Sequence, residues 1–205
     1  MKKLVIITFA LLASVSFAET KAAPKVAKKA AAVETKKDVT GTVKWTGYGV
    51  GKSHQGTIGI KSGQVVMKGD ELTGGNVVLD MTTLKTEDSP KLQNHLKSAD
   101  FFDVEKFGEG NFKITKVEAL KSPAAGGPTH KITGDLTIRG KTHSQEILAV
   151  ITKKGDKMVA SGETEIKDRT QYDIVYRSGK FEAASALGNK LIEDNIKIQL
   201  DLQTL

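Results

Sequence analysis

With 205 residues, a formal net charge of +7 and no cysteine, the chain can bury the core of one domain and must stand without disulfides or a thiol-linked lipid. The charge does not make it a nucleic-acid binder. Residues 1–37 carry eight Lys against two Glu, which leaves 23 basic and 22 acidic residues for the rest, with no aromatics interleaved among basic side chains.

The opening segment, MKKLVIITFALLASVSFAET, sets Lys2 and Lys3 before an apolar run from Leu4 to Leu12 and beyond, and closes on Ser16-Phe17-Ala18. Small residues at the two positions a signal peptidase reads predict a signal peptide over residues 1–18, and hence a periplasmic or secreted product. The run is shorter than the roughly 20 residues of a membrane anchor. Residues 19–37, mostly Ala and Lys with one Pro, cannot bury enough apolar surface to offset chain entropy. They read as a disordered or transiently helical spacer, with a tether to an anionic envelope surface as the functional alternative.

A single domain is expected over residues 38–205. From Asp38 onward apolar residues recur with period two in VTGTVKWTG, GTIGIKSG, QVVMKG, NVVLDMTTLK, NFKITKVEAL, HKITGDLTIRG, SQEILAVITKKG and KMVASGETEI. The last pattern, NIKIQLDLQ, is the cleanest: Ile196, Ile198, Leu200 and Leu202 alternate with Lys197, Gln199, Asp201 and Gln203. Turns such as PAAGGP and KKGDK separate the runs, and no strand–helix–strand rhythm occurs, so an antiparallel sheet, sandwich or barrel is expected. TEDSPKLQNHLKSADFF breaks the period. Asp88 or Ser89 as cap, Pro90 in the first turn, and Leu92 and Leu96 four apart predict a short helix over roughly 90–98. RSGKFEAASALGNKLIED is ambiguous between loop and helical turn.

On a barrel, one face of each strand would line the lumen: Val39, Val43 and Trp45; Val77, Leu79 and Met81; Ile132, Leu136 and Ile138; Ile147, Ala149 and Ile151; Met158, Ala160 and Ile166; and the final Ile/Leu quartet. Gly41, Gly134, Ala149, Ala160 and Gly162 interrupt these bulky rows. They are expected to leave space for a ligand, the alternative being that the glycines serve coiling or bulges. The stretch from His95 to Phe112 holds four of the seven Phe. Phe101 and Phe102 are expected to plug part of the barrel, each buried ring contributing about 1.5–3 kcal/mol, with Asp100, Asp103 and Glu105 outside. For Phe102 and Phe107 a structural lid is favoured over ligand contact.

Several blocks in order, LDMTTLKTED, LQNHLKSADFFDVEKFGEGNFKITKV, ITGDLTIRGKTHSQEILAV, IKDRTQYDIVY and IEDNIKIQLDLQ, resemble the YceI-like family of exported lipid (polyisoprenoid)-binding proteins across roughly residues 38–203. The resemblance implies a lipocalin-like, extended antiparallel β-barrel of about eight strands with one short helix, holding a long isoprenoid or other amphiphilic chain and no other cofactor. It departs at the rim, where Tyr172 is followed by Asp173 rather than Gly. The ligand-binding candidates are Val43, Trp45, Leu79, Met81, Leu96, Phe101, Phe102, Leu136, Ile138, Ala149, Ala160, Ile198 and Leu200. His54, His95 and Arg169 are the head-group candidates. A structural role competes for each of these three, and Asp168-Arg169 reads as a turn-holding ion pair with Asp80 in reach of Arg169.

His54, His95, His130 and His143 are not at metal-ligand spacing, and no nucleophile elbow, phosphate loop or dinucleotide fingerprint occurs. Three readings follow. The leading one is an exported carrier or reservoir of a polyisoprenoid, quinone-like or similar lipid, serving transport, storage or stress protection. It permits transient contact with the envelope membrane and a homodimer. The second is an envelope-associated interaction module with a filled core and no lipid. The third is an unrecognised hydrolase or redox protein dependent on His95.

Overall fold

The computed structural model describes residues 33–121 and 124–205. Eight strands run β1 Glu34–Gly49, β2 Lys52–Lys68, β3 Glu71–Thr86, β4 Glu109–Ala119, β5 His130–Ile138, β6 Lys141–Lys154, β7 Lys157–Ile166 and β8 Ile192–Thr204. Each pairs antiparallel with the next, and β8 returns to β1 through a register from Val39↔Thr204 to Gly49↔Ile192, closing the barrel. Closure satisfies the edge groups of both terminal strands.

Tight hairpins set the register. Gly69-Asp70, Arg139-Gly140 and Gly155-Asp156 each join strands whose flanking residues pair directly. Arg139 and Gly140 both take positive φ (49° and 71°), the requirement of the hairpin turn whose twist matches the strands. Arginine is an unfavourable occupant of that turn, and its side chain compensates: the guanidinium donates to the carbonyls of Ala99, Phe101 and Asp173.

Helix α1, Pro90–Lys97, forms where the cap and spacing predict it. Ser89 Oγ accepts from the Leu92 amide at 3.3 Å, and Pro90 occupies the first turn, where its missing N–H costs nothing. The chain then folds back tightly, with the Phe102 amide donating to Leu96 O and the Val104 amide to Lys97 O. This turn drives Leu96, Phe101 and Val104 into the barrel's main apolar cluster with Trp45, Met81 and Leu84. A second, smaller cluster of Ile132, Ile147 and Ala149, backed by Leu72, Ile114, Val117 and Ile151, packs elsewhere in the barrel. The ambiguous loop contains a short helical turn, α2, Ala184–Leu187, followed by a 3-10 turn, Gly188–Lys190.

Three expectations change. Strand β1 begins at Glu34, so residues 34–37, assigned to the spacer, belong to the sheet: Lys36 and Lys37 pair with Val66 and Val65. The proposed signal peptide and the rest of the spacer up to residue 32 lie outside the described residues. GTIGIKSG and QVVMKG form one strand rather than two, with Gly63 in its middle. Finally, the interior glycines do not leave space. A side chain at Gly134 would lie 2.5 Å from the Phe112 ring, one at Gly162 3.1 Å from Ile147, and one at Gly41 would meet the Asp201 carbonyl. Close strand approach and neighbouring rings consume those gaps.

Candidate functional site

A cavity of about 390 Å³ lies inside the barrel and opens at a polar rim. That volume falls in the lower part of the roughly 300–1,000 Å³ typical of small-molecule sites. Its wall is built from the inward faces of β1, β3, β5 and β8, because period-two strands present alternate residues to the lumen. Val43, Trp45, Leu79, Met81, Leu136, Ile138, Ile198 and Leu200 all line it, as expected. So do Leu96, Phe101 and Phe102 from the turn after α1, and Phe112 from β4.

Ala149 and Ala160 do not line the cavity. Ala149 is buried in the second apolar cluster, whose Leu72, Ile114, Val117 and Ile151 fill the barrel beyond the cavity. Small side chains there permit close packing instead of a void. Phe107 is likewise absent from the wall; it packs over Gly140, with Lys106 Nζ 5.1 Å from its ring centroid.

The aromatic concentration after α1 forms one wall of the chamber. His95 meets Phe101 and Tyr176 edge-on at 5.0 and 4.9 Å between centroids, and Phe101 and Tyr176 lie 5.3 Å apart. Asp100, immediately outside, holds His95 Nε2 at 2.9 Å. His54 Nδ1 is 3.0 Å from Asp88. The Thr86 hydroxyl, with a smaller effect from His54, holds the Asp88 carboxyl below its usual pKa. Both histidines reach the rim of the cavity, each with a carboxylate behind it.

Arg169 differs from the expectation more sharply. It lines the base of the rim but is only 2% exposed. Its Nε donates to Glu193 O at 3.1 Å, Nη1 to Ile174 O at 2.7 Å, and Nη2 to Tyr176 O and Ile192 O at 3.0 and 3.2 Å. Burial pushes its pKa down, opposed by Asp194, 3.4 Å away, and by Asp168. Its donors are committed to these carbonyls, so Arg169 fastens the loop after β7 to β8. Asp80 is not its partner, since it accepts from the Thr82 amide and hydroxyl. Asp168 pairs instead with Lys180 at 2.6 Å and caps the one-turn 3-10 helix Arg169–Tyr172. That helix ends on Asp173 at φ 59°, the left-handed conformation a glycine would take without cost.

Sequence reasoning missed Lys52, Tyr176, Arg177, Lys190 and Asn195 at the rim. They come from the β1–β2 hairpin, the loop after the 3-10 turn and the start of β8, and no local period links them. The only sequence signal of the first four is that they lie within three residues of Gly51, Gly179 or Gly188, and Asn195 has none. Among the described residues, no group of three His, Asp or Glu side chains converges in a metal-binding arrangement. No helix among them is long and apolar enough to cross a membrane.

A closed eight-stranded antiparallel barrel with an apolar chamber and a polar rim defines a lipocalin-like class of architecture. Residues 16–204 match the YceI-like domain, and the chain belongs to that family. A UPF0312 protein of Vibrio parahaemolyticus is 36% identical over 81 residues, 40% of each chain. One from Photorhabdus laumondii is 30% identical over 101 residues, 45% of this chain and 49% of the relative. The matched regions thus span half or less of these relatives. Among solved structures, BcnA of Burkholderia cenocepacia superposes with a TM-score of 0.62 at 18% identity, covering 80% of this chain and 96% of the other. A polyisoprenoid binding domain from Saccharophagus degradans gives 0.61 at 10% identity, covering 83% and 98%. At these identities the likeness is one of fold.

Proposed function

We propose that the protein is an exported carrier or reservoir that holds a polyisoprenoid, quinone-like or other long-chain amphiphilic lipid in its lumen, for transport, storage or stress protection. The observation that carries this reading is the chamber itself: about 390 Å³ of interior walled by aliphatic and aromatic side chains, with charged groups confined to the rim. An alkyl or isoprenoid tail buried there gains about 0.8 kcal/mol per methylene. The unfilled chamber weighs against an interaction module with a filled core. Asp100, Phe101 and Tyr176 fix the His95 ring at the chamber wall.

Export through the leader would place the barrel beside the envelope membrane. Exposed Val50, Val175 and Phe181, adjacent in sequence to rim segments, support transient contact of the mouth with that surface. One barrel supplies the whole lumen, so this reading needs no second copy. Mass spectrometry of solvent extracts from natively purified protein tests it. A stoichiometric long-chain lipid is expected; protein that carries none, and takes none up when incubated with polyprenol or quinone, overturns the proposal.

A further inference from the structure

The rim carries a charge asymmetry that the lipid reading alone does not require. Three cationic side chains border the mouth, Lys52, Arg177 and Lys190, against a single carboxylate, Glu193. They gather around one residue. Gly49 pairs with both Lys52 and Ile192, the Arg177 carbonyl accepts from the Ile192 amide at 3.0 Å, and Lys190 lies two residues before Ile192. The Lys52 stem lies across Gly49, beside the Leu191 carbonyl. Among the described residues none of the three makes an ion pair, whereas lysines elsewhere on the barrel, such as Lys61, Lys153 and Lys197, do.

Arg177 is further marked by its backbone. It takes a left-handed φ of 52°, unusual for a long side chain, and its guanidinium sits 4.9 Å from the centroid of the Tyr176 ring. Such conformations cost free energy and collect at ligand clamps. Here the result is a cation held by stacking at the mouth with its hydrogen-bonding edge unspent. Apart from Glu193, the other charges nearby are already matched: Asp88 faces His54, Asp100 faces His95, and Arg169 is sealed by carbonyls.

We infer that the mouth is a head-group site for an anionic amphiphile, one whose apolar chain fills the lumen and whose terminal carboxylate or phosphate is held by Lys52, Arg177 and Lys190. This rests on the lumen-binding proposal and adds to it a selection by charge. Neutral chains enter the same lumen without engaging the three cations.

The test compares cis-parinaric acid, a fluorescent long-chain carboxylate, with its uncharged methyl ester on delipidated full-length protein. Wild type is expected to bind the acid about tenfold more tightly than the ester at low ionic strength, and the ratio should shrink as salt rises. Combining Lys52→Gln, Arg177→Gln and Lys190→Gln should bring the ratio to about one while ester affinity stays unchanged, which also shows that the variant is folded. An equal change of net charge away from the rim, Lys36→Gln with Lys154→Gln and Lys157→Gln, should preserve the ratio. Equal binding of acid and ester by wild type, or a preference that survives the mouth variant, overturns the inference while leaving lumen binding intact. Failure of both ligands to bind overturns the lumen reading itself. Inorganic phosphate binding as tightly as the acid would make this a free-anion site and overturn the amphiphile assignment.

Discussion

The ring of Phe112 on β4 occupies the place that a side chain at Gly134 on β5 would need, 2.5 Å from where its Cβ would stand. A glycine in the middle of an apolar row therefore serves a neighbouring ring that lines the chamber. Gly134→Ala should push Phe112 toward the lumen, destabilise the fold by about 1–3 kcal/mol through overpacking, and reduce lipid capacity. Urea denaturation and lipid extraction on the same variant check both effects.

The two ends of the apolar interior are expected to respond differently to bulk. Leu136 faces the chamber and Ala160 does not. Leu136→Trp should lower the quantity of extractable lipid at least severalfold in a protein that still melts cooperatively. Ala160→Trp should leave loading unchanged and appear, if anywhere, as lost stability. Loading that falls equally in both variants would contradict the position of the cavity.

Arg169 ties four carbonyls and Asp194 together from a nearly solvent-free position. Arg169→Ala leaves those acceptors and a carboxylate without their donor, so a loss of about 3–5 kcal/mol is expected by chemical denaturation. Arg169→Lys should recover little, because a single ammonium cannot reproduce the fork.

Asp168 supplies a pH dependence. Burial raises its pKa, but hydrogen bonds from Lys180 and Thr170 outweigh that and hold it below the ordinary carboxylate value. A depressed native pKa contributes stability above the unfolded value of about 3.9, and that stability disappears as pH falls through the lower native pKa. Wild type should therefore exceed Asp168→Asn in Tm at neutral pH, with the gap closing below about pH 4. A gap independent of pH would mean that the ionised carboxylate is not the source.

Arg139 holds the carbonyls of Ala99 and Phe101 against that of Asp173, so it pins the turn that carries the chamber's aromatic wall. Arg139→Ala should speed amide hydrogen exchange over residues 98–107 by about tenfold, the equivalent of one charge-assisted hydrogen bond of roughly 1.5 kcal/mol. Exchange in β6 and β7 beyond the hairpin should not change.

Much of this architecture was legible in the sequence because period-two alternation is a local property. β8 could be read from Ile196 to Leu202 alone, and α1 from Ser89, Pro90 and the Leu92–Leu96 spacing. The inward faces followed from the same parity, which is why Val43, Trp45, Leu79, Met81, Leu136, Ile138, Ile198 and Leu200 line the wall. Depth along the barrel is not local. Ala149 and Ala160 lie on the predicted face but outside the cavity, because which part of a lumen is filled depends on side chains from strands distant in sequence, here Leu72, Ile114 and Val117. The fate of Arg169 was hidden for a related reason: its partners are backbone carbonyls, which every residue possesses. The mouth cations were invisible as a group until Ile192 brought their three segments together.

Trp45 is the only tryptophan of the chain, and it stands in the chamber wall, 8% exposed, with an indole N–H that has no hydrogen-bond partner among the described residues. Its tryptophan emission therefore arises from one site, whose surroundings change when a hydrocarbon chain enters the chamber. On the proposed function, the colour and intensity of that glow would report loading directly, readable in a cuvette without any added dye.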